Sequence, residues 1–455
     1  MDVKIDKDLT ITNISKTELD QFRKDLTFPN PAWKSAIQFG RRTFGIPKFI
    51  KQYSEITEGI IVPRGYLYRA TEITNSINVI EDTTANFSKR LINNNIKLEP
   101  IQIPWVESLV SHRQGIGIAP AGSGKTVMAL EVIARLGLPT LWLTHRGPLV
   151  KQVKKEIEKF IEVGKIGIIG ESKKALGDIL TIGMVPTLVR NKELIKELKY
   201  SFGLILVDEC QHVPSSTFLK VICGFSPRFL YGITATPYRE DGLDPLMFNY
   251  IGPVVTTIKH KDAVDANRII NSSVLVHYTE ITATKKLWGA NYADLIEYIS
   301  TNERRNNLIV SDILYEYGLE NTCMVLTVTT KHIDILTDIF NSLGITVASP
   351  HSKQTNKIRD KQIEGFLSGE TKILIVTYGL LAEGFNYKPS SRLFLAAPLK
   401  SSSLIVQSTG RIERPLEGKE NAIVYDYVDN IKMFKNQFWK RKAAYEQKNM
   451  LIRYH

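Results

Sequence analysis

The stretch Ala119-Pro-Ala-Gly-Ser-Gly-Lys-Thr126 decides the fold that the sequence predicts. It follows an apolar segment and precedes Met128, Val132 and Leu136, which are spaced to share one face of a helix. A glycine-rich loop between a strand and a helix can hold phosphates, because its backbone N–H groups and the helix N-terminus point at the anion. Ala119 stands where this pattern has its first glycine, which is acceptable if φ is negative there.

This loop predicts an ATP site that uses Mg²⁺. Lys125 would pair with the β- and γ-phosphates, and the Thr126 hydroxyl would ligate the metal ion. The residues expected to surround the phosphates are Ala121, Gly122, Ser123 and Gly124. We therefore expect ATP and Mg²⁺ as the cofactors of this chain.

A second motif, Val207-Asp-Glu-Cys-Gln-His212, follows the apolar run 204–207. That run predicts a buried strand whose carboxyl end presents Asp208 and Glu209, at the edge where parallel sheets bind ligands. Asp208 would hold Mg²⁺, and Glu209 would orient and deprotonate the attacking water. The two acids could instead cap a helix, but after a phosphate-binding loop they indicate a nucleotide hydrolase.

From about residue 97 short apolar strands alternate with amphipathic helices, which predicts α/β units on parallel sheets. The predicted strands are 115–119, 141–144, 204–207 and 231–234 in a first series, and 324–327, 373–377, 393–396 and 422–425 in a second. Helices are expected after Lys125, from Pro148 and over 334–342. The predicted division is a small mixed domain at 1–95, a first lobe at 96–255, a connector with a small insertion at 256–300, a second lobe at 301–430 and a basic helical extension at 431–455.

The number and distribution of basic residues indicate what kind of molecule the protein binds. The 455 residues include 59 Lys and Arg against 47 Asp and Glu, a net charge of +12. Nearly all of the excess lies in 33–69, where cations alternate with aromatic residues, and in 431–455. Such clusters attract polyanions, and aromatic rings can stack on unpaired bases. Either cluster could be a solvated face, and some of the aromatic residues must form core, but nucleic acid is the favoured partner.

Composition also disfavours other classes of protein. The three cysteines are far apart and odd in number, which argues against a disulfide framework or a four-ligand zinc site. No apolar run approaches the roughly 18 residues that a membrane helix needs. The charged first residues carry no sign of a secretion signal. We expect a cytoplasmic protein without a membrane partner that acts as a monomer.

The motifs and their order resemble those of superfamily 2 helicases. Gln102 lies where that family reads adenine, Thr234-Ala-Thr236 matches the motif that couples the ATP site to nucleic acid, and Gln407-Ser-Thr-Gly-Arg411-Ile-Glu-Arg414 matches motif VI. The resemblance implies two tandem RecA-like parallel-sheet lobes with ATP bound between them. Arg411 and Arg414 would share a helical face and contact the γ-phosphate, although alone they could be a surface pair. The resemblance also places Gly384 at the ATP site, and Thr144, Arg146, Thr187 and Thr377 on the nucleic-acid backbone.

Further patterns resemble the XPB- and UvsW-like branch of that superfamily, with phage members as the nearest likeness. They are the Pro-x-x-x-Phe after the acidic motif, Arg239-Glu-Asp241, and the segments Asn30-Pro-Ala-Trp33, Gly40-Arg-Arg42 and Val62-Pro-Arg-Gly65. The resemblance implies DNA contacts from Trp33, Arg41, Arg42 and Arg64. Arg239 and Gln407 are expected to couple the two sites, together with Gln211 or His212; His212 could equally be a structural histidine.

The leading hypothesis is an ATP-dependent DNA helicase or translocase that unwinds or remodels branched DNA, such as forks and Holliday junctions, in replication, recombination or repair. Translocation on duplex DNA without strand separation and an RNA helicase are alternatives that share these motifs. A DNA-binding scaffold without turnover is a third, disfavoured by the intact motifs. A nuclease or restriction subunit is weakly supported, since neither end carries an obvious nuclease motif. A 3′-to-5′ polarity is implied by the resemblance alone.

Overall fold

The computed structural model describes residues 1–74, 77–170, 173–213, 215–236, 241–283, 287, 289–382, 390–416, 418–419 and 421–455. The chain divides into two compact units. The first comprises Met1–Ala119 and Lys125–Ile258, and the second comprises Pro120–Gly124 and Lys259–His455. The short loop segment Pro120–Gly124 is therefore grouped with the second unit.

The first unit begins with a small mixed region, which belongs to the same compact unit as the lobe that follows it. Its elements are β1 (Asp2–Ile5), β2 (Asp8–Thr12), α1 (Lys16–Asp25), β3 (Thr27–Pro29), α2 (Pro31–Gln38), β4 (Phe49–Lys51), β5 (Ser54–Ile56), β6 (Gly59–Pro63), α3 (Leu67–Ile73) and β7 (Asn78–Asp82). Five strands form a sheet in the order β5-β6-β2-β1-β7, and β3 pairs with β4 separately. Alternate residues of β2, such as Leu9 and Ile11, are buried against Phe22 of α1, because side chains on a strand alternate between its faces.

The rest of the first unit is an α/β lobe. Its elements are α4 (Ile103–Ser111), β8 (Gln114–Ile118), α5 (Lys125–Leu136), β9 (Thr140–Thr144), α6 (Gly147–Phe160), β10 (Gly167–Gly170), β11 (Lys173–Ala175), β12 (Leu180–Met184), α7 (Val185–Leu188), α8 (Lys192–Glu197), β13 (Leu204–Asp208), α9 (Ser216–Ile222), β14 (Phe229–Thr234), α10 (Asp244–Ile251) and β15 (Val254–Thr257). The strand order is β11-β10-β12-β9-β13-β14-β8-β15, and among the described strands of this sheet only the β10–β11 pairing is antiparallel. The central strands are continuous apolar runs because helices cover both faces of a parallel sheet.

The second unit is another α/β lobe. Its elements are α11 (His260–Asp265), β16 (Ser272–Thr282), α12 (Tyr292–Ser300), α13 (Glu303–Gly318), β17 (Cys323–Thr327), α14 (Thr330–Ser342), α15 (Asn356–Ser368), β18 (Ile373–Thr377), α16 (Tyr378–Ala382), β19 (Arg392–Leu395), α17 (Ser402–Ile412), β20 (Ala422–Asn430), α18 (Lys432–Gln447) and β21 (Leu451–Tyr454). The sheet order is β18-β17-β19-β20-β16-β21, and every pairing is parallel.

Two predicted boundaries are wrong. The segment 256–300 is not a separate connector, because its strand β16 pairs with β20 and β21 inside the second sheet. The segment 431–455 is helical over α18, as predicted, but it is not an extension: α18 packs on the sheet and β21 forms its edge. Both segments lack the strand–helix alternation of their neighbours, which is why sequence pattern excluded them from the lobe.

Two clusters of buried charge stabilise the second unit. Arg441 of α18 donates to both carboxylate oxygens of Asp426 at 2.7 and 2.8 Å, and Tyr445 donates to the same carboxylate at 2.8 Å. Arg305 donates to Asp429 at 2.8 Å. Removing one partner of such a pair leaves a charge buried without compensation, which destabilises a fold strongly. Among the described residues, no helix has the length and apolar character needed to cross a membrane.

Candidate functional site

The predicted phosphate-binding loop has a strand–loop–helix geometry. It follows β8, and α5 begins at Lys125. Gly122 and Gly124 have φ of +89° and +92°, values that favour glycine. Ala119 is not among the described residues with positive φ, so alanine suits the position where a glycine is usual. The Lys125 ammonium donates to the carbonyl of Ala119 at 3.0 Å, which holds the side chain back along its own loop.

The acidic pair ends β13 at the carboxyl edge of the first sheet. Glu209 has φ 50° and ψ 53°, the left-handed region that residues other than glycine seldom adopt, and its amide donates to Asp208 at 3.0 Å. Burial, followed by repulsion from Glu209, raises the pKa of Asp208 to about 7, and the positive charge of Lys125 opposes this rise. The charge of Lys125 is therefore near enough to Asp208 to lower its pKa.

The donor set of this site suits Mg²⁺. The candidate ligands are the Asp208 carboxylate and the Thr126 hydroxyl, and two crowded carboxylates favour a nearby cation. Within the described ranges, no group of three or more His, Cys, Asp or Glu side chains could hold a metal ion. Mg²⁺ is commonly bound by one or two carboxylates together with water and substrate phosphates, so it requires no such group.

A buried hydrogen-bond path leads away from the acidic pair. The side-chain amide nitrogen of Gln211, Nε2, donates to Glu209 Oε2 at 2.8 Å. The side-chain oxygen of Gln211, Oε1, accepts from the Thr234 hydroxyl at 2.6 Å. The Thr236 amide donates to Thr234 Oγ1 at 2.9 Å. Gln211 and Thr234 are both buried. Of the two residues that the sequence offers as a bridge, Gln211 lies on this path, within the first unit.

His212 has a different neighbourhood. Its ring lies 4.6 Å from the ring of His145, centroid to centroid. Burial, followed by the charge of His212, lowers the pKa of His145 to about 3, so His145 is neutral near pH 7. This packing favours the structural role that the sequence left open for His212.

Motif VI lies on α17 and the residues that follow it. Arg411 donates to the carbonyl of Leu381 at 2.8 Å, and Gln407 is partly buried on the same helix. Within the second unit, a Cβ added to Gly410 would lie 2.4 Å from Cβ of Ala121, and one added to Gly122 would lie 3.3 Å from Cγ of Arg414. The loop segment and the arginine motif are therefore in close contact inside this unit.

Glu413, between the two arginines, is a site residue that the sequence analysis missed. Both of its carboxylate oxygens accept from the Lys448 ammonium at 2.6 Å, and Oε1 also accepts from the Ser272 hydroxyl at 2.6 Å. His260 Nε2 lies 3.3 Å from Oε2. Burial raises the pKa of Glu413, but Lys448 and His260 outweigh burial and hold it at about 2. The only signal in the sequence is an acid inside a basic motif, because its partners are distant along the chain.

Gln102 is buried at the start of α4, where its side-chain oxygen accepts from the Glu99 amide at 3.0 Å. Two predicted site residues, Arg239 and Gly384, lie outside the described residues. Thr377 ends β18, and its hydroxyl accepts from the Leu380 amide at 3.3 Å. Arg146 and Thr187 are partly exposed. For these six residues the predicted roles stay predictions.

Two predicted nucleic-acid contacts are wrong. Arg64 is only 4% exposed, and its guanidinium donates to Gln114 at 3.0 Å and to the carbonyls of Arg228 at 2.6 Å and Pro227. Each of its three nitrogen atoms donates to an acceptor within the first unit. The Thr144 side chain is fully buried at the end of β9. Neither side chain can reach a strand on the surface.

Of the remaining N-terminal candidates, Trp33 is half-buried, and Arg41 and Arg42 are exposed. We use the name N-terminal patch for Trp33 and Arg41 together with the nearby residues Phe39, Lys48 and Phe49. Lys48 Nζ lies 5.5 Å from the ring centroids of both Trp33 and Phe49, and the Arg41 guanidinium lies 5.6 Å from that of Phe39. Phe39 is 64% exposed. Cations held over exposed rings offer both charge and stacking surface to a nucleic acid.

Family models match both lobes. The type III restriction enzyme res subunit matches residues 74–239, and the helicase conserved C-terminal domain matches residues 305–415. A protein of Acanthamoeba polyphaga mimivirus, named as an ATP-dependent RNA helicase, is 26% identical over 74% of this chain and 64% of its own length. The DNA 3'-5' translocase XPB2 of Sulfurisphaera tokodaii is 31% identical over 39% of this chain and 40% of its own.

A solved structure, the type ISP restriction-modification enzyme LlaBIII bound to DNA, aligns with a TM-score of 0.60 at 17% identity. The alignment covers 77% of this chain and 30% of that protein. It is evidence of a shared RecA-like fold. The chain thus carries a match to the type III restriction enzyme res subunit followed by a match to the helicase conserved C-terminal domain, one on each parallel-sheet lobe, and in this it is similar to the superfamily 2 helicases.

Proposed function

We propose that the chain is an ATP- and Mg²⁺-dependent DNA motor that unwinds or remodels branched DNA. The observation that carries the proposal is the buried path from Glu209 through Gln211 to Thr234, since it links the predicted water-activating acid to the motif expected to couple hydrolysis to nucleic acid.

In this proposal Lys125 leaves the Ala119 carbonyl to pair with the β- and γ-phosphates, and the loop amides hold the remaining phosphate oxygens. Asp208 and Thr126 would hold Mg²⁺, which supplies charge neutralisation on the phosphates when bound. Glu209 orients the attacking water and accepts its proton. Arg411 and Arg414 stabilise the negative charge that develops as the phosphate bond breaks.

In this proposal Gln211 connects the site of ATP hydrolysis to the residues that contact the nucleic acid. A movement of Glu209 changes the hydrogen bond that it accepts from the Gln211 side chain. The other end of that side chain is hydrogen-bonded to Thr234, so the movement reaches Thr234. The Thr236 backbone follows Thr234 because the two are hydrogen-bonded. Thr187, Arg146 and Thr377 are the proposed contacts to the strand backbone.

The N-terminal patch would hold DNA near the branch. Its cations neutralise phosphates and its exposed rings offer stacking surface, so it adds affinity without reading base sequence. Relatives named for DNA and for RNA both match this chain, so an RNA helicase is the second candidate. Translocation on duplex DNA without strand separation is a third, because XPB2 is named as a translocase.

Steady-state ATP hydrolysis with Mg²⁺ tests the proposal. The protein is assayed without nucleic acid and with single strands, blunt duplex, forks, Holliday junctions and RNA. Strongest stimulation by forks or junctions, with strand displacement on the same substrates, supports it. Stimulation by RNA alone moves the protein to the second candidate, and absence of hydrolysis in every condition refutes the motor.

Lys125→Ala tests the site within that assay. We expect hydrolysis to be abolished while DNA affinity changes little, because in this proposal Lys125 pairs with the phosphates of ATP and does not contact the nucleic acid. Lys151→Ala is the matched control, since Lys151 is an exposed lysine on α6 of the same unit. Near wild-type hydrolysis by Lys125→Ala would show that the ATP site is wrongly assigned.

A further inference from the structure

The second unit carries a row of exposed aromatic side chains on the face of the sheet covered by α18. Tyr278 of β16, Trp439 of α18 and Tyr454 of β21 are 51%, 59% and 49% exposed. The rings of Tyr278 and Tyr454 are nearly parallel, at 10° and 6.1 Å between centroids. Lys442 Nζ lies 5.2 Å from the ring centroid of Trp439 and 5.8 Å from that of Tyr454. We call these four residues the C-terminal platform.

The platform is fixed in place from below. The ring of Phe438, which is buried, packs against Tyr278 at 6.3 Å and against Trp439 at 5.8 Å. Tyr278 and Tyr454 lie on two hydrogen-bonded neighbouring strands, because β16 pairs with β21. Rings held by strands and a buried neighbour lose little freedom when a ligand stacks on them, which favours binding.

The surroundings of the platform are cationic. Lys432, Lys435 and Lys440 are exposed on α18, whose sequence has one acid, Glu446. Arg453 is exposed on β21. Arg441 and Lys448, by contrast, are buried in ion pairs and contribute nothing to the surface. The positive face of the 431–455 cluster therefore borders the exposed rings.

This combination fits unpaired bases better than a protein partner. Protein interfaces are enriched in Tyr and Trp but depleted in Lys, whereas single-stranded nucleic acid combines ring faces with a polyanionic backbone. The phosphates of a duplex could pair with the lysines, but the bases of a duplex are stacked on one another and cannot stack on the exposed rings. Half-exposed rings surrounded by lysines thus match the chemistry of a single strand.

The location of the platform agrees with that occupant. Ligands of parallel sheets bind beyond the carboxyl ends of the strands. Tyr454 is the last residue of β21, and Tyr278 lies just past the middle of β16. Thr377, a proposed strand contact, ends β18 at the opposite side of the same six-stranded sheet. Four strand spacings, or about 19 Å, separate Tyr278 from Thr377, and five, or about 24 Å, separate Tyr454 from Thr377. A single strand leaving Thr377 along this edge would arrive at the platform.

We propose that Tyr278, Trp439, Tyr454 and Lys442 form a stacking site for unpaired bases of single-stranded nucleic acid, separate from the N-terminal patch. The proposal rests on the proposed function for the origin of the single strand, which is the strand separated by the motor. The rings bind base faces, and the lysines of α18 follow the phosphates.

Equilibrium binding of the full-length chain to fluorescent oligothymidylate and to blunt duplex, without ATP, tests the site. We expect Trp439→Ala to weaken single-strand binding by about 5- to 150-fold, the range for loss of one stacked base, and to leave duplex binding within twofold. Trp439→Phe should recover most of the affinity because it retains a ring face. Tyr315→Ala is the matched control, because Tyr315 is 66% exposed in the same unit and no described cation lies over its ring.

Three outcomes would overturn the proposal. They are single-strand affinity of Trp439→Ala within twofold of wild type, an equal loss on duplex, and a wild-type dimer that Trp439→Ala dissociates, which would make the platform a contact between copies of the chain. Failure of the proposed function gives a different result, namely that no nucleic acid supports ATP hydrolysis. Binding to oligothymidylate is measured without hydrolysis and is decisive in either case.

Discussion

Replacing Lys448 by methionine should destabilise the second unit by about 3–5 kcal/mol, the effect of removing one partner from a buried ion pair. The Lys448 ammonium donates to both oxygens of Glu413 at 2.6 Å and to the Thr409 hydroxyl at 2.7 Å. The side chains of Lys448 and Glu413 are 9% and 1% exposed, so water cannot replace the lost bonds. Methionine preserves most of the volume and leaves a carboxylate buried beside Ser272 and His260.

The pH dependence of this loss has a definite sign. The folded-state pKa of Glu413 is about 2, below its ordinary value of 4.5, so the ion pair contributes stability that is complete above about pH 4.5 and is lost as the pH falls toward 2. In the methionine variant the buried carboxylate gains by accepting a proton. The difference between wild type and variant should therefore shrink between pH 7 and pH 4.

Urea denaturation followed by fluorescence and far-UV circular dichroism measures the effect at both pH values. Lys440→Met is the control on the same helix, because Lys440 is an exposed lysine and its replacement should change the stability by less than about 1 kcal/mol. Adding Glu413→Leu to Lys448→Met should restore part of the stability by removing the orphaned charge. A loss below about 1 kcal/mol, or one independent of pH, would refute this account of the buried pair.

Three further predictions concern the first unit. Gln211→Ala should retain basal ATP hydrolysis but lose at least about tenfold of its stimulation by DNA, measured as the ratio of the two rates; unchanged stimulation would exclude the proposed path. Arg64→Met should destabilise the unit by about 3 kcal/mol, because it leaves several buried acceptors without donors. Its DNA affinity, measured at low temperature where the variant is folded, should stay unchanged. A loss of DNA affinity without a loss of stability would show that Arg64 contacts DNA after all. Arg41→Ala should weaken DNA binding uniformly across sequences and reduce the slope of log affinity against log salt by about 1, and an unchanged slope would exclude a phosphate contact.

Short-range signals were sufficient to predict several individual strands and helices. The strand 373–377 is observed as predicted, and α5 begins at Lys125. These features depend on contiguous residues, since a buried parallel strand is an apolar run and a phosphate loop needs glycine at fixed positions. The placement of Asp208 and Glu209 at the carboxyl end of a strand was predicted in the same way, because the two acids directly follow an apolar run.

Long-range pairing explains what the sequence could not indicate. Arg64 has the composition of a surface cation, but its acceptors are Gln114 and two carbonyls that lie more than 150 residues away. Glu413 meets Lys448 and Ser272 for the same reason. The strand β16 lacks a neighbouring strand–helix repeat, and only its pairing with β20 and β21 assigns it to the sheet. Local periodicity contains no information on such partners.

The position of β16 in the second sheet sets an order of events during translation. This strand is made early in its lobe, yet its two neighbours, β20 and β21, are about 140 residues or more behind it. Until they emerge from the ribosome, the backbone N–H and C=O groups of β16 lack their partners, and an unpaired strand edge invites contact with other chains. The lobe therefore completes its fold late, through contacts distant in sequence that form slowly. A nascent chain paused between β19 and β20 would be the form most in need of a chaperone.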